Sequence, residues 1–147
     1  MTPRHSNVSA TQLDAAYRAT TYVAYLPEGT LTLRVDRLSR QLDRLLEDAG
    51  CSTWAFISTC NPGSHSLSKA ENAIRHARLI ETVNRLDLKW HGGEGVPDTP
   101  GWLPESSLLV LGITQNDALA LAGQFGQNAI LFGTLGEAPQ LHYINPG

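Results

Sequence analysis

The amino-acid sequence predicts an α+β fold, with a mixed, mainly antiparallel sheet and about four helices packed on it in a single compact domain. The length of 147 residues fits one domain. β-rich runs come in consecutive pairs joined by turns, and helical stretches with capping residues separate these pairs. The predicted element order is therefore α-β-β-α-β-α-β-β-α-β-β, which is typical of helices packed against a largely antiparallel sheet.

The N-terminal third predicts a short helix followed by a hairpin. Residues 1–10 have several turn-forming side chains and no apolar period, so we expect a flexible arm before a domain over residues 11–147. Thr11 can cap the first helix. Two β-rich runs, residues 21–26 and 30–35, flank a Pro-Glu-Gly turn and predict two paired strands.

The next segment predicts a helix and then a central strand. Ser39 is suited to begin the helix, and Gly50 is suited to end it. Residues 54–57 form a short apolar run, which is typical of a strand covered on both faces. The chain then passes into the turn sequence Asn61-Pro62-Gly63, and a long helix follows it.

The helix after this turn has the clearest sequence signal. Ser68 and Glu71 have the spacing of a capping box, in which each side chain accepts a hydrogen bond from the other residue's backbone. Apolar residues recur at helical spacing and predict the side that faces the sheet: Ala70, Ala73, Ile74, Ala77, Ile80 and Val83. On an adjacent side, Glu71 and Arg75 lie four residues apart and predict an ion pair.

The C-terminal part predicts a long loop and then more strands. Residues 87–104 are rich in Gly and Pro and predict a loop with a short strand near its start. Residues 107–113 predict a buried strand, and Thr114 can cap the helix after it. Residues 129–133 and 140–144 predict a final hairpin.

The charge distribution argues against a general nucleic-acid binder. The net charge is −3, and all Lys and Arg residues lie at or before Lys89, so the last third is acidic. Four arginines at spacings of three, three and four nevertheless predict that most of them share one side of a helix, as a solvated face or as a stripe that binds phosphate: Arg34, Arg37, Arg40 and Arg44. Contact with nucleic acid through this side is the weakest of the functional alternatives.

The cysteines and the apolar runs bear on the cellular compartment. Cys51 and Cys60 flank the predicted central strand, which would hold them roughly 30 Å apart and prevent a disulfide within one chain. The N-terminus does not have the pattern of a signal peptide, and no apolar run is long enough to span a bilayer. We therefore expect a cytoplasmic protein with reduced thiols and no membrane segment.

Several common catalytic and metal motifs are absent from the sequence. The five histidines do not have metal-ligand spacing, so we predict no metal site. The glycines around Glu94 lack the Lys-Ser/Thr pair of a phosphate loop. A Gly-x-Ser-x-Gly elbow is also absent. The sequence therefore indicates neither a reaction nor a cofactor.

The candidate site lies at the turn between the central strand and the long helix. Asn61, Ser64, Ser66 and Ser68 offer amide and hydroxyl groups near the N-terminus of that helix, and Arg75 adds a cation. The partial positive charge of a helix N-terminus favours an anion. This pattern predicts a site for an anion or a carboxylate, although the same residues also suit a capped turn.

Further candidates come from elsewhere in the chain. Glu71 and Glu105 are candidate catalytic carboxylates, although a cap and a strand-edge charge are equally open interpretations. Gln127 and Asn128 follow the last predicted helix and could bring amide groups to the site, or serve only as turn residues.

Four short motifs resemble those of an uncharacterised family of small bacterial proteins, a domain of unknown function. The motifs are Asn61-Pro62, then Ser68 with Glu71, Asn72 and Arg75, then Trp102 with Glu105 and Ser107, and finally Phe125-Gly126-Gln127 with Ala129. The resemblance covers about residues 17–132. It brings no activity, but it implies that Asn61, Asn72, Arg75, Glu105 and Gln127 belong with Glu71 to one polar site.

These observations leave two main functions open. The first is binding of a small anionic or nucleotide-like ligand in a polar cleft, with hydrolysis by Glu71 or Glu105 and charge neutralisation by Arg75. The second is a non-catalytic protein-interaction module, in which the polar residues fix the turn and the acidic last third meets a protein partner.

Overall fold

The helices and strands occur in the predicted order. The computed structural model describes residues 10–61, 66–101 and 103–144. Within these ranges the helices are α1 (Ala10–Arg18), α2 (Arg40–Ala49), α3 (Lys69–Arg85) and α4 (Gln115–Gln124). The strands are β1 (Thr20–Leu26), β2 (Gly29–Leu33), β3 (Thr53–Ser58), β4 (Lys89–Pro97), β5 (Glu105–Leu111), β6 (Ala129–Thr134) and β7 (Gln140–Tyr143). The predicted N-terminal arm lies outside the described residues, except for Ala10.

All of these strands belong to one antiparallel sheet. Their order across the sheet is β2-β1-β4-β5-β3-β6-β7, and every neighbouring pair is antiparallel. The α+β prediction is confirmed. β3 and β5 lie at the centre, which agrees with the apolar sequences that predicted buried strands for both.

Helices cover the sheet on both faces. One apolar cluster joins α1 and α2 to the sheet through Tyr17, Leu42, Leu46, Tyr22, Leu31, Trp54, Phe56, Leu109 and Leu131. The other joins α3 and α4 to the opposite face through Leu79, Val83, Ala118, Leu121, Ala55, Ile57, Leu108, Val110 and Ile130. Because side chains alternate along a strand, the apolar runs at residues 54–57 of β3 and 108–111 of β5 contribute to both clusters.

The Gly-rich part of the predicted loop is in fact the strand β4. A Cβ atom on Gly93 would lie 2.2 Å from the carbonyl oxygen of Val23 and 3.2 Å from the ring of Phe56. Only glycine therefore fits where β4 passes between β1 and the aromatic core. The short strand predicted near the start of this loop is present, but the loop prediction is wrong over residues 92–97 of β4, where Gly93 serves close packing and not a turn.

The predicted inner side of α3 is also wrong in its first half. The structure leaves four of the expected core residues exposed, namely Ala70, Ala73, Ile74 and Ala77. Asn72, Arg75 and His76 are half-buried in their place, and Leu79 and Val83 anchor the second half in the core. The polar groups at the end of β3 explain this orientation, because Asn72 and Arg75 bond to them.

The predicted row of arginines on one helix is wrong as well. A turn separates the β1–β2 hairpin from α2, which begins at Arg40, so Arg34 and Arg37 are not on that helix. Nη2 of Arg34 forms an ion pair with Asp98 at 2.8 Å. Only Arg40 and Arg44 remain on α2.

The structure also shows the state of the two cysteines and whether any described helix could span a membrane. Cys51 and Cys60, at the two ends of β3, are both free cysteines, which confirms that they do not pair with each other. No helix in the described ranges is both long enough and apolar enough to cross a lipid bilayer.

Candidate functional site

The candidate site lies at one end of the sheet, where three strands meet. β3 runs antiparallel to both β5 and β6, so the end of β3 lies beside the beginnings of its two neighbours. The register pairs Ser58 with Ser107 and Phe56 with Leu131. Residues just after β3, at the start of β5 and just before β6 therefore come together, although they are far apart in the sequence.

Asn61 is the centre of the hydrogen bonding at this end. Its backbone has φ of 49°, in the left-handed region that asparagine tolerates better than most residues. Its side-chain Oδ1 accepts from Leu67 N and from Asn72 Nδ2, both at 3.0 Å. Its Nδ2 donates to Glu105 Oε2 at 2.8 Å, and its backbone N donates to Asn72 Oδ1 at 3.0 Å. Asn61 thus joins the turn, α3 and β5.

Glu105 brings a carboxylate into this end of the sheet. It is the first residue of β5, and only 8% of its surface is exposed. A buried carboxylate requires hydrogen bonds to remain stable as an anion, and the Asn61 amide provides one of them. The predicted site residue Glu105 therefore lies with Asn61 and Asn72.

Arg75 connects α3 with both β3 and α4. Its Nε donates to the Thr59 carbonyl oxygen at 2.7 Å, its Nη2 donates to the Phe125 carbonyl oxygen, and its Cζ lies 5.6 Å from the centre of the Phe125 ring. Phe125 is the C-cap of α4, where the helix dipole favours a cation. Arg75 thus has a structural role, and among the described residues it forms no ion pair with a carboxylate.

Gln127 and Thr59 complete the arrangement. Gln127 Nε2 donates to the Cys60 carbonyl oxygen at 3.0 Å, and the residue is only 4% exposed. Among the described residues, neither Gln127 Oε1 nor the Thr59 hydroxyl has a hydrogen-bond partner, and both atoms are buried. Thr59 is a residue that the sequence reasoning missed. Its signal was a run of polar residues directly after an apolar strand.

These residues form one group, which we call the polar cluster: Thr59, Asn61, Asn72, Arg75, Glu105 and Gln127. Five of the six were predicted from the sequence as site residues. Hydrogen bonds of Asn61 join Asn72 and Glu105. The Thr59 and Cys60 carbonyl groups, directly before Asn61 in the chain, accept hydrogen bonds from Arg75 and Gln127, respectively. A buried polar atom without a partner costs about 1–3 kcal/mol, so such atoms are rare in folded proteins and call for an explanation.

Two predicted site residues form the cap of α3. The Ser68 hydroxyl accepts from Glu71 N at 3.1 Å, and the Glu71 carboxylate accepts from Ser68 N at 3.0 Å, so the predicted capping box is confirmed. The bond from the Ser68 backbone lowers the pKa of Glu71. Glu71 is exposed and bonds to Ser68, whereas Arg75 turns inward, so the expected Glu71–Arg75 ion pair is wrong. Ser66 is exposed, and Ser64 lies outside the described residues.

Other parts of the molecule do not contribute to this site. A depression of about 360 Å³ lies at the opposite end of β3, and Cys51, Asp87 and Lys89 are among its lining residues. In the described ranges, no three His, Cys, Asp or Glu side chains are grouped as metal ligands would be.

The fold and the polar cluster together define an α+β domain in which polar residues from distant parts of the chain gather at one end of an antiparallel sheet. A family described as "Protein of unknown function (DUF3293)" matches residues 57–130, and this chain belongs to that family. No curated protein and no solved structure matches the chain. The matched range contains every residue of the polar cluster. The resemblance to an uncharacterised family is confirmed, while its four-motif pattern and bacterial source stay predictions.

Proposed function

We propose that this protein binds a small anionic ligand at the polar cluster. The observation that carries this proposal is the buried side chain of Gln127. Its Nε2 is already used by the Cys60 carbonyl, and its Oε1 has no partner among the described residues. If the amide were flipped, Oε1 would face the Cys60 carbonyl oxygen, and two acceptors repel each other. The Cys60 carbonyl group therefore fixes the orientation of the amide. A ligand with an N–H or O–H group would satisfy Oε1.

Arg75 supplies the charge that favours an anion. Its guanidinium is half-buried and bonds to two backbone carbonyl groups, and no carboxylate of the described residues pairs with it. A cation that is partly removed from water attracts an anion more strongly than an exposed one does. Phosphate and carboxylate groups are both suited to a guanidinium, so nucleotides and organic acids belong to the same expected ligand class.

A more specific version of this proposal is that the protein also hydrolyses the ligand. Of the two carboxylates predicted as bases, Glu105 is the better candidate because it belongs to the polar cluster, whereas Glu71 bonds to the cap of α3. In this role Glu105 would accept a proton from an attacking water, which would be the general-base step of hydrolysis. Asn61 would hold the carboxylate in place.

Thermal melting with a panel of nucleotides, phosphorylated metabolites and organic acids tests the proposal. A ligand at 100 times its Kd raises the unfolding free energy by about 2.7 kcal/mol, which corresponds to about 5–10 °C for a chain of this size. We expect one class to produce such a shift in the native chain and in Gln124→Met, but not in Gln127→Met. Gln124 is exposed and close in sequence, so it is a matched control. A panel without any shift in the native chain would contradict ligand binding.

A protein-interaction module remains the second candidate, because the outer side of α3 is apolar in its first half. A pull-down or a sizing experiment tests it. The nucleic-acid alternative loses its main support, since Arg34 and Arg37 lie off α2 and Arg34 is paired with Asp98. Retention on a nucleic-acid column with steep salt dependence would be needed to restore it.

A further inference from the structure

The first half of α3 has the polarity of its sides reversed. Amphipathic helices normally turn apolar residues to the core and polar residues to solvent. In α3 the polar Asn72, Arg75 and His76 face the sheet, while Ala70, Ala73, Ile74 and Ala77 face outward. Ile74 is 55% exposed, which is unusual for a large β-branched side chain near the middle of a helix. This outer side of α3 is a surface that the described parts of the chain leave exposed.

The charges beside this surface are self-complementary. Glu71 and Arg78 are both exposed and lie seven residues apart, which places them two turns apart on the same side of α3. A two-fold axis midway between them would bring Glu71 of one copy to Arg78 of the other, twice. Ile74 lies next to that midpoint. The midpoint between Ala70 and Ala77 lies next to Ile74 on its other side. The charged pair and the apolar pair therefore indicate two-fold axes that differ by only one residue, about 1.5 Å along the helix, and the long Glu71 and Arg78 side chains can span that offset.

We propose that a second copy of this chain packs its α3 antiparallel against α3, with Ile74 beside the two-fold axis. Ala70 then packs against the partner's Ala77, and Glu71 pairs with the partner's Arg78. A parallel two-fold arrangement would instead place the Glu71 and Arg78 side chains of the two copies on opposite sides of the interface, so neither ion pair would form. Two-fold pairing is also the commonest symmetry of soluble oligomers, because one surface serves both copies.

The surface is small, so the pairing is expected to depend on concentration. Stable interfaces bury about 1,200–2,000 Å² in total, and a single helix pair with three alanines lies at or below the lower end. The small side chains allow the two helices to approach closely, and this compensates in part for the limited area. The inference stands apart from ligand binding, because the polar cluster faces the sheet and not the outer side of α3.

Molar mass measured against protein concentration tests the pairing. We expect the native chain to rise from monomer to dimer mass with concentration, and Ile74→Glu to remain a monomer, because the substitution places two carboxylates at the axis. Leu135→Glu is the control, since Leu135 is also an exposed apolar residue but lies after β6. It should dimerise as the native chain does. A native chain that stays monomeric at the highest soluble concentration would overturn the proposal.

Cysteine cross-linking tests the register. Ala70→Cys and Ala77→Cys are prepared separately in a Cys51→Ser background, then oxidised alone and as a mixture. We expect covalent dimers mainly in the mixture, because residue 70 lies opposite residue 77 of the partner. Two copies of residue 70 would be displaced by about 12 Å along the helices, beyond the reach of a disulfide. Efficient cross-linking of Ala70→Cys alone would indicate parallel helices and contradict the proposed register.

Discussion

At the scale of single residues, Asn61 shows how one side chain organises a site. Its amide oxygen accepts two hydrogen bonds, its amide nitrogen binds a buried carboxylate, and its backbone has a positive φ. Asparagine combines a short side chain, both kinds of hydrogen-bonding group and tolerance of the left-handed region. No other residue type offers all three.

Replacing Asn61 with alanine should therefore destabilise the fold strongly. We expect Asn61→Ala to lower the free energy of unfolding by roughly 3 kcal/mol, because the buried groups of Glu105 and Asn72 lose partners. Urea denaturation measures the change. Asn116→Ala is the matched control on the surface of α4, and it should change the free energy by less than about 0.5 kcal/mol. Equal effects of the two substitutions would contradict the central role of Asn61.

His76 should make stability depend on pH. Burial lowers the pKa of His76 from its ordinary value of 6.5, because the charged ring is disfavoured away from water. As the pH falls below 6.5, the unfolded chain takes up the proton before the folded protein does, and stability decreases until the folded pKa is passed.

The variant His76→Gln should lack the contribution of this histidine to the pH dependence of stability. Urea denaturation between about pH 5 and 8 should show the native chain losing stability relative to the variant as the pH falls. Above about pH 7.5 the histidine is neutral in both states, so the difference between the two proteins should be constant there. A constant difference across the whole range would show that His76 has no part in the pH dependence.

At the scale of elements, α3 and β4 both depart from what their sequences predicted, and for related reasons. The first half of the apolar stripe of α3 is directed outward because Asn72 and Arg75 have polar partners at the end of β3. The glycines of β4 suit a strand because Gly93 lies where a side chain would collide with β1. In each case a contact with another element overrides a local preference.

Two adjacent glycines of β4 offer a sharp test of this account. Gly93→Ala should destabilise the protein by about 1–3 kcal/mol, since its Cβ would lie 2.2 Å from the Val23 carbonyl oxygen. Gly92→Ala is the matched control, because nothing lies within 4 Å of its Cβ position. Chemical denaturation of both variants measures the difference. A Gly92→Ala change as large as that of Gly93→Ala would mean that strand flexibility, and not close packing, explains the glycines.

At the scale of the whole molecule, the sheet pairs strands that are distant in the sequence. The β1–β2 hairpin pairs with β4, and β3 lies between β5 and β6. The central strands contribute to the apolar clusters on both faces of the sheet. Neither cluster can therefore form fully without the strands that the other cluster also needs.

This arrangement predicts a single cooperative unfolding transition. Trp54 belongs to the cluster under α1 and α2, whereas Trp90 packs against the cluster under α3 and α4. We expect far-UV circular dichroism to show one unfolding transition in the native chain and in Trp90→Phe. In the variant, tryptophan fluorescence should also show one transition, at the same midpoint as its circular dichroism. Separate midpoints for the two probes would indicate that the two faces unfold independently.

Much of the fold follows from local sequence. Capping residues, apolar runs and turn residues predicted the order of all helices and strands in the described ranges, as well as the α+β class. These signals are local, because a cap or an alternating pattern involves residues only a few positions apart. The sequence also indicated five residues of the polar cluster: Asn61, Arg75, Glu105 and Gln127 from their residue types and positions, and Asn72 from the resemblance to the uncharacterised family.

The tertiary structure alone decided which side of α3 faces inward, that β4 extends through the glycines, and that Thr59 belongs to the cluster. The register of β3 with β5 and β6 brings residues 59, 105 and 127 together, and no local pattern encodes that register. The orientation of α3 follows from the same cause. Hydrogen bonds to the end of β3 exist only once the sheet has formed, and leaving buried polar groups without partners costs more than exposing one isoleucine and three alanines.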